Sequence, residues 1–156
     1  MYWMRERLPN DQFLLYAFDA PAADVAALLR RAAAIPDLRL RVRDVPWHLD
    51  YPVWVERDVT AADVVTRGPT TWDECRDAVA RLLGTVLDPR DSPWRLHVFT
   101  GVRGVPHCGE LALVAVLQLS HALADGRAAA GIARALFAAA PVVDVRPPAA
   151  SPSAAA

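Results

Sequence analysis

Apolar and polar positions follow two different periods along the chain, and these periods predict strands and helices in turn. Residues 13–18 form a short, aromatic-rich apolar run that is typical of a strand. Pro21 then opens a predicted helix that Pro36 ends, because a proline fits the first turn of a helix but interrupts its interior. Residues 38–45 alternate apolar side chains with arginines, which predicts a half-buried strand, and residues 53–55 predict another short strand.

The second half of the chain continues this alternation. The sequence TWDE at residues 71–74 is a capping box, which predicts a helix with an apolar stripe that extends to Val86. Residues 94–102 alternate and predict a strand on which His97 faces water or an interface. Residues 111–119 are apolar on both faces and predict a central strand, and residues 127–140 predict an alanine-rich helix after Gly126.

This order of elements predicts an α/β (α+β) fold, with a mixed sheet covered by helices. Residues 1–140 are expected to form one domain, because 156 residues favour a single core over two. Residues 141–156 are rich in proline and alanine and show no periodicity, which predicts a flexible tail or a linker.

Composition and charge exclude several classes of protein. The chain is 54% hydrophobic and 22% charged, which excludes global disorder. Its net charge of −1 gives no reason to expect binding to nucleic acid. No apolar run is long enough to span a membrane and the first residues lack the pattern of a signal peptide, so we expect a cytoplasmic protein without a transmembrane segment.

One segment carries candidate chemistry, the sequence SHALADG at residues 120–126. A buried strand is predicted to end at Ser120 and His121, which would hold an imidazole at the end of a rigid element. A histidine has an ordinary pKa of about 6.5 and can accept a proton from an attacking hydroxyl or thiol. The residues alone leave other interpretations open: His121 as a core histidine, Asp125 as a helix N-cap and Gly126 as a turn residue.

The remaining histidines and the cysteines give weaker signals. His48 and His107 fall in loop-like stretches near prolines, and the spacing of the histidines predicts no metal site. Cys75 and Cys108 are too few for a disulfide framework and are expected to be free, buried thiols.

The segment SHALADG resembles the His-His-x-x-x-Asp-Gly signature of the CoA-dependent acyltransferases, a superfamily that includes chloramphenicol acetyltransferase and peptide-synthetase condensation domains. Two further stretches narrow the resemblance to the bacterial wax ester synthase/diacylglycerol acyltransferases. LPNDQFLLY at residues 8–16 is similar to the opening of that family, and DPRDSPWRLHVFTG at residues 88–101 is similar to its Pro-Leu-Trp segment. The resemblance covers roughly residues 8–140.

The resemblance implies a chloramphenicol-acetyltransferase-like lobe with His121 as the general base that deprotonates an alcohol. The alcohol would attack an acyl-CoA, the donor substrate, and neither a bound cofactor nor a metal is implied. Asp125 would support the motif through an ion pair with an arginine, for which Arg41 and Arg43 are candidates. Gly126 would allow close approach to the histidine, and Ser120 stands where the signature has its first histidine.

The resemblance also implies a partner. Members of this family have two lobes, and this chain resembles the N-terminal lobe followed by the start of the interlobe linker. We therefore expect a partner chain that supplies the C-terminal lobe, or a homo-oligomer, with a long-chain alcohol or diacylglycerol as acceptor and peripheral contact with membranes or lipid droplets. The alternatives are a catalytically incomplete or degenerate lobe that acts as a lipid-binding or regulatory partner, and a condensation-type domain.

Overall fold

The computed structural model of the protein describes residues 11–20, 22–48 and 51–138. Three α-helices and seven strands alternate through this part of the chain, which confirms the mixed α/β class. The helices are α1 (Val25–Ala34), α2 (Trp72–Leu82) and α3 (Gly126–Phe137). The strands are β1 (Asp11–Phe18), β2 (Leu40–Arg43), β3 (Val53–Glu56), β4 (Val64–Arg67), β5 (Thr70–Thr71), β6 (Trp94–Arg103) and β7 (Ala112–Ser120).

The main sheet has the order β1-β7-β6-β4, and β5 also pairs with β6. Strand β7 is antiparallel to both of its neighbours, whereas β4 and β5 run parallel to β6, so the sheet is mixed. Strands β2 and β3 form a separate antiparallel ribbon. Strand β7 therefore lies at the centre of the fold, and its last residues reach the segment that carries the candidate motif.

Apolar side chains cover both faces of the main sheet. Helices α1 and α3 pack on one face, on a core that includes Trp94, Leu117 and Leu119. Helix α2 packs on the other face, against a core that includes Phe99 and Val116. Every residue of β7 is buried, which confirms the prediction of a central strand and explains why its sequence lacks polar alternation.

The helix ends agree with the sequence only in part. Helix α1 begins at Val25, where the Asp24 side chain accepts a hydrogen bond from Ala27 N, and Pro21 lies outside the described residues. The predicted capping box at Thr71 is confirmed, since the side chains of Thr71 and Glu74 each accept a bond from the other's backbone N–H. The apolar stripe of α2 was predicted to extend to Val86, which is wrong, because the helix ends at Leu82.

Two strand predictions need correction. The strand predicted over residues 38–45 is shorter, because Pro36–Arg39 form a 3₁₀ turn and β2 covers Leu40–Arg43 alone. His97 was expected to face water or an interface, but it is 3% exposed. It is buried because β6 is an inner strand of the sheet with neighbours on both sides.

Residues 141–156, the predicted tail or linker, lie outside the described residues.

Candidate active site

Ser120 ends strand β7 and begins the turn that carries the motif. Its backbone N–H donates to Pro93 O at 2.8 Å, and its carbonyl accepts from Leu123 N at 2.9 Å. Its hydroxyl accepts a hydrogen bond from Ala122 N at 3.3 Å. The side chain is buried, so this position supports the turn from within and does not offer its hydroxyl to solvent.

His121 follows in the first position of this turn and is half-buried. Its side chain makes no hydrogen bond or ion pair within the part of the chain that the structure describes. An imidazole held beside a buried strand end, with its nitrogens uncommitted, can accept a proton from a hydroxyl group placed against it. The geometry of the turn therefore permits the role of general base that the resemblance implies.

Asp125 and Gly126 begin helix α3. The Asp125 carboxylate accepts a hydrogen bond from Ala128 N at 2.8 Å, which makes Asp125 the N-cap of this helix. In the described residues no arginine forms an ion pair with Asp125; Arg41 instead donates to Arg90 O. A Cβ added at Gly126 would lie 3.7 Å from Gln12 Oε1, so the protein itself leaves room for a side chain there.

Gln12 joins strand β1 to the motif loop. Its side-chain amide donates to Ala124 O at 2.5 Å, and the backbone of Gln12 pairs with Leu119 on β7. A side chain that holds both the strand and the loop restricts how far the turn at His121 can move. No pattern in the sequence predicts this contact directly, although Gln12 lies in the stretch at residues 8–16 that resembles the opening of the family.

A buried ion pair supports the same end of the sheet from the other side. Arg57 Nη2 lies 2.7 Å from both carboxylate oxygens of Asp63, and their side chains are 10% and 4% exposed. The Ser92 hydroxyl lies 3.0 Å from Asp63 Oδ1 and 2.7 Å from Trp94 O, and these two acceptors share its single proton. This network fixes the start of β6 next to Pro93, whose carbonyl accepts the hydrogen bond from Ser120.

A chain of polar side chains, of which His97 and Gln118 are buried, crosses the sheet on the α2 face. Arg67 Nη1 lies 3.2 Å from His97 Nδ1, and His97 Nε2 lies 3.1 Å from Gln118 Oε1. Because the guanidinium can only donate, Nδ1 accepts and Nε2 donates to Gln118. Gln118 Nε2 in turn donates to Asp11 Oδ2 at 2.8 Å. The network thus orients a neutral His97 on β6, the strand next to the edge strand β4.

Electrostatics also favour the neutral form of His97. Burial lowers the pKa of His97 below its ordinary value of 6.5, and the hydrogen bond to Gln118 raises it in part. The positive charges of Arg67 and Arg95 lower this pKa further. His97 is therefore a structural histidine in a satisfied polar network, which its spacing in the sequence did not indicate.

The other candidate residues lie apart from the motif. His107 is an exposed loop residue, and the side chain of His48 lies outside the described part of the chain. Cys75 and Cys108 are free, as predicted, but only Cys75 is buried, whereas Cys108 is half-buried. Burial raises the pKa of the Cys75 thiol to about 11. In the described ranges no group of three or more potential metal-ligating side chains is present, and none of the helices there has the length and hydropathy needed to cross a membrane.

A family model described as the wax ester synthase/diacylglycerol acyltransferase catalytic domain matches residues 16–155. The chain belongs to this family. The match includes the SHALADG segment and the start of β6, which are the stretches that the structure joins through the bond between Ser120 and Pro93. Membership of the wax ester synthase/diacylglycerol acyltransferase family supports acyl transfer as the type of reaction.

Solved structures show the same fold at low sequence identity. The first condensation domain of the calcium-dependent antibiotic synthetase matches with a TM-score of 0.63 and 16% identity, over 86% of this chain and 33% of that one. Tallysomycin biosynthesis protein TlmII matches with a TM-score of 0.57 and 19% identity, over 87% and 34%. The X-domain from teicoplanin biosynthesis matches with a TM-score of 0.59 and 20% identity, over 82% and 27%. The chain thus has the fold of one condensation-like lobe and spans about a third of these structures.

Proposed function

We propose that this chain is the histidine-bearing lobe of an acyl-CoA-dependent O-acyltransferase, which transfers a fatty acyl group to a long-chain alcohol or a diacylglycerol. The observation that carries the proposal is the family match, together with the half-buried His121 in the turn that ends the central strand. The reaction needs a base that reaches the acceptor hydroxyl, and His121 has no competing partner among the described side chains.

In the proposed mechanism, His121 removes the proton from the acceptor hydroxyl as its oxygen attacks the thioester carbonyl. A carbon–oxygen bond forms and the tetrahedral intermediate then loses the carbon–sulfur bond. The imidazolium returns the proton to the thiolate, so that an ester and coenzyme A leave and the base is regenerated. Asp125, Gln12 and Ser120 keep the turn in place through the hydrogen bonds described above.

A second lobe is part of this proposal. The chain spans about a third of the condensation-like structures it matches, and we propose that a partner chain or a second copy completes the substrate tunnel. Several large apolar side chains on the described surface are exposed, which is consistent with an interface. Sedimentation of the purified chain tests this, since a heterodimer or oligomer is expected and a stable monomer that is fully active would contradict it.

The activity is tested by following coenzyme A release from palmitoyl-CoA in the presence of hexadecanol or diacylglycerol. The assay uses the chain alone and together with any partner that copurifies with it. His121→Ala should lower the rate by about 10²–10⁴-fold, the range expected for loss of a general base. His107→Asn, at an exposed loop position, is the matched control and should keep the rate. Equal rates for His121→Ala and the unchanged protein would refute the assignment of the base.

Condensation-type chemistry is the second candidate, because the solved structures that share the fold include condensation domains. It predicts acylation of an amine by a thioester carried on a carrier protein, whereas the first candidate predicts a lipid ester. Mass spectrometry of the product with both donors separates the two. If neither product forms in the complete assembly, the chain is a catalytically incomplete lobe with a binding or regulatory role.

A further inference from the structure

Arg95 is a half-buried cation beside the candidate motif, and it has no partner among the described residues. Its Nε is buried and has no hydrogen-bond partner, and no ion pair or hydrogen bond of its guanidinium is present in the described part of the chain. Arg57, another half-buried arginine, behaves differently, since it is bonded to both oxygens of Asp63. A desolvated donor with no acceptor is uncommon in a folded protein and calls for an explanation.

The strand register places Arg95 close to the motif. Arg95 on β6 lies directly opposite Gln118 on β7, and Ser120 is the next residue of β7 on the same face. Diagonal neighbours on one face of a sheet are about 7–8 Å apart, a distance that an arginine side chain can cover. Arg95 is therefore a diagonal neighbour of Ser120, the residue that precedes His121.

The charges around Arg95 favour a ligand with a single negative charge. Asp11 is opposite Ser120 in the register of β1 and β7, and its carboxylate accepts hydrogen bonds from Gln118 Nε2 and Leu87 N. Arg67 is engaged with His97 and stacks over the ring of Phe99 at 5.5 Å. His97 is neutral and pairs with Arg67 without offsetting its charge, so the carboxylate of Asp11 offsets one of the two guanidinium charges and one is left to be balanced. The nearby Asp11 carboxylate would repel a dianionic phosphate more strongly than it would repel a singly charged carboxylate.

We infer that Arg95 forms a carboxylate subsite that binds an acidic group on the acyl acceptor, next to the hydroxyl that His121 deprotonates. A guanidinium presents two parallel N–H groups to a carboxylate, which gives this pair both strength and orientation. The phosphates of coenzyme A are separated from the thioester by the long pantetheine arm, so they do not reach this position when the thioester is at His121. The inference rests on the proposed function for the role of the hydroxyl, and it narrows the acceptor to hydroxy acids.

Binding without turnover tests the subsite independently of the proposed activity. Isothermal titration of the full chain, with its partner where one copurifies, uses 3-hydroxyoctanoate and its uncharged methyl ester as probes. We expect the acid to bind at least tenfold more tightly than the ester. Arg95→Met should remove that preference, whereas Arg43→Met, which neutralises an exposed arginine on the β2–β3 ribbon, should retain it.

A second variant and the activity assay distinguish failure of the carboxylate subsite from failure of the proposed function. Arg95→Lys keeps the charge and should retain part of the preference, and circular dichroism shows whether each variant is folded. Equal binding of acid and ester by the unchanged protein, no binding of the acid, or an unchanged preference in Arg95→Met would each overturn the subsite. If the acid binds through Arg95 while no coenzyme A release depends on His121, the proposed function fails and the subsite stands.

Discussion

The side-chain amide of Gln12 donates a hydrogen bond to the backbone carbonyl of Ala124, which lies 112 residues further along the chain. This bond connects the first residues of an edge strand to the loop between His121 and helix α3. The loop has two other fixed points, the backbone of Ser120 and the cap at Asp125. The position of the candidate base is thus set from both ends of its turn and from a neighbouring strand.

Replacement of Gln12 by methionine should loosen the motif loop. Gln12→Met keeps the length of the side chain but leaves the buried carbonyl of Ala124 without its donor, which should lower the free energy of unfolding by about 1–2 kcal/mol. Urea unfolding measures this change, and native-state hydrogen exchange should show faster exchange at Leu123. Leu15→Met, on the opposite face of β1, is the control and should leave that exchange unchanged. Unaltered protection in Gln12→Met would show that the loop does not depend on this bond.

Gly126→Ala should slow acyl transfer without lowering the stability of the fold. Gly126→Ala has space in the protein, with Gln12 Oε1 3.7 Å from the added carbon, and alanine suits a helix better than glycine does. We expect an unchanged or higher melting temperature together with slower acyl transfer, because the methyl group would narrow the approach to His121.

The matched control for that variant is Gly131→Ala in the same helix. Apart from the chain neighbours and the backbone of its own helix, no atom lies within 4 Å of a Cβ at Gly131, so this change should stabilise the protein by roughly 0.5–1 kcal/mol and keep its activity. Calorimetry and coenzyme A release on both variants make the comparison. Full activity in Gly126→Ala would show that no substrate passes close to this position.

Neutralisation of Asp63 should destabilise the protein strongly. Asp63→Asn leaves the nearly buried guanidinium of Arg57 without its countercharge, which typically costs about 3–5 kcal/mol. Asp73→Asn breaks an exposed ion pair with Arg76 and should cause little change in the same urea titration. Similar losses in the two variants would mean that the Arg57–Asp63 pair contributes no more than a surface pair.

His97 should make the stability depend on pH. Because burial lowers the pKa of His97 in the folded protein below 6.5, the unfolded chain binds a proton at this residue more readily than the folded one. The contribution of neutral His97 is therefore complete above about pH 6.5 and is lost as the pH falls from that value toward the lower pKa of the folded state.

The measurement is the free energy of unfolding at pH 7.5 and pH 5.5. His97→Gln keeps a polar group toward Gln118 without a titrating proton, so it should show a smaller decrease between the two pH values than the unchanged protein. An identical decrease in both would assign the acid sensitivity to other groups.

The sequence by itself determined the mixed α/β class, the capping box at Thr71, the burial of β7 and the segment that carries His121, because these features are written in local periodicity or in a short motif. It misjudged His97, and the ends of α1 and α2 shifted from the predicted residues. It also contained no signal for the bond between Gln12 and Ala124 or for the pair of Arg57 with Asp63.

Only the tertiary structure decided these contacts. Whether a polar residue on a strand contacts water or a protein partner depends on which strands lie beside it and on which elements cover each face. The sequence of one strand determines neither of these. His97 and Arg95 illustrate this, since they alternate identically along β6. The fold gives His97 two hydrogen-bonding partners, whereas it leaves the Nε of Arg95 buried and without one.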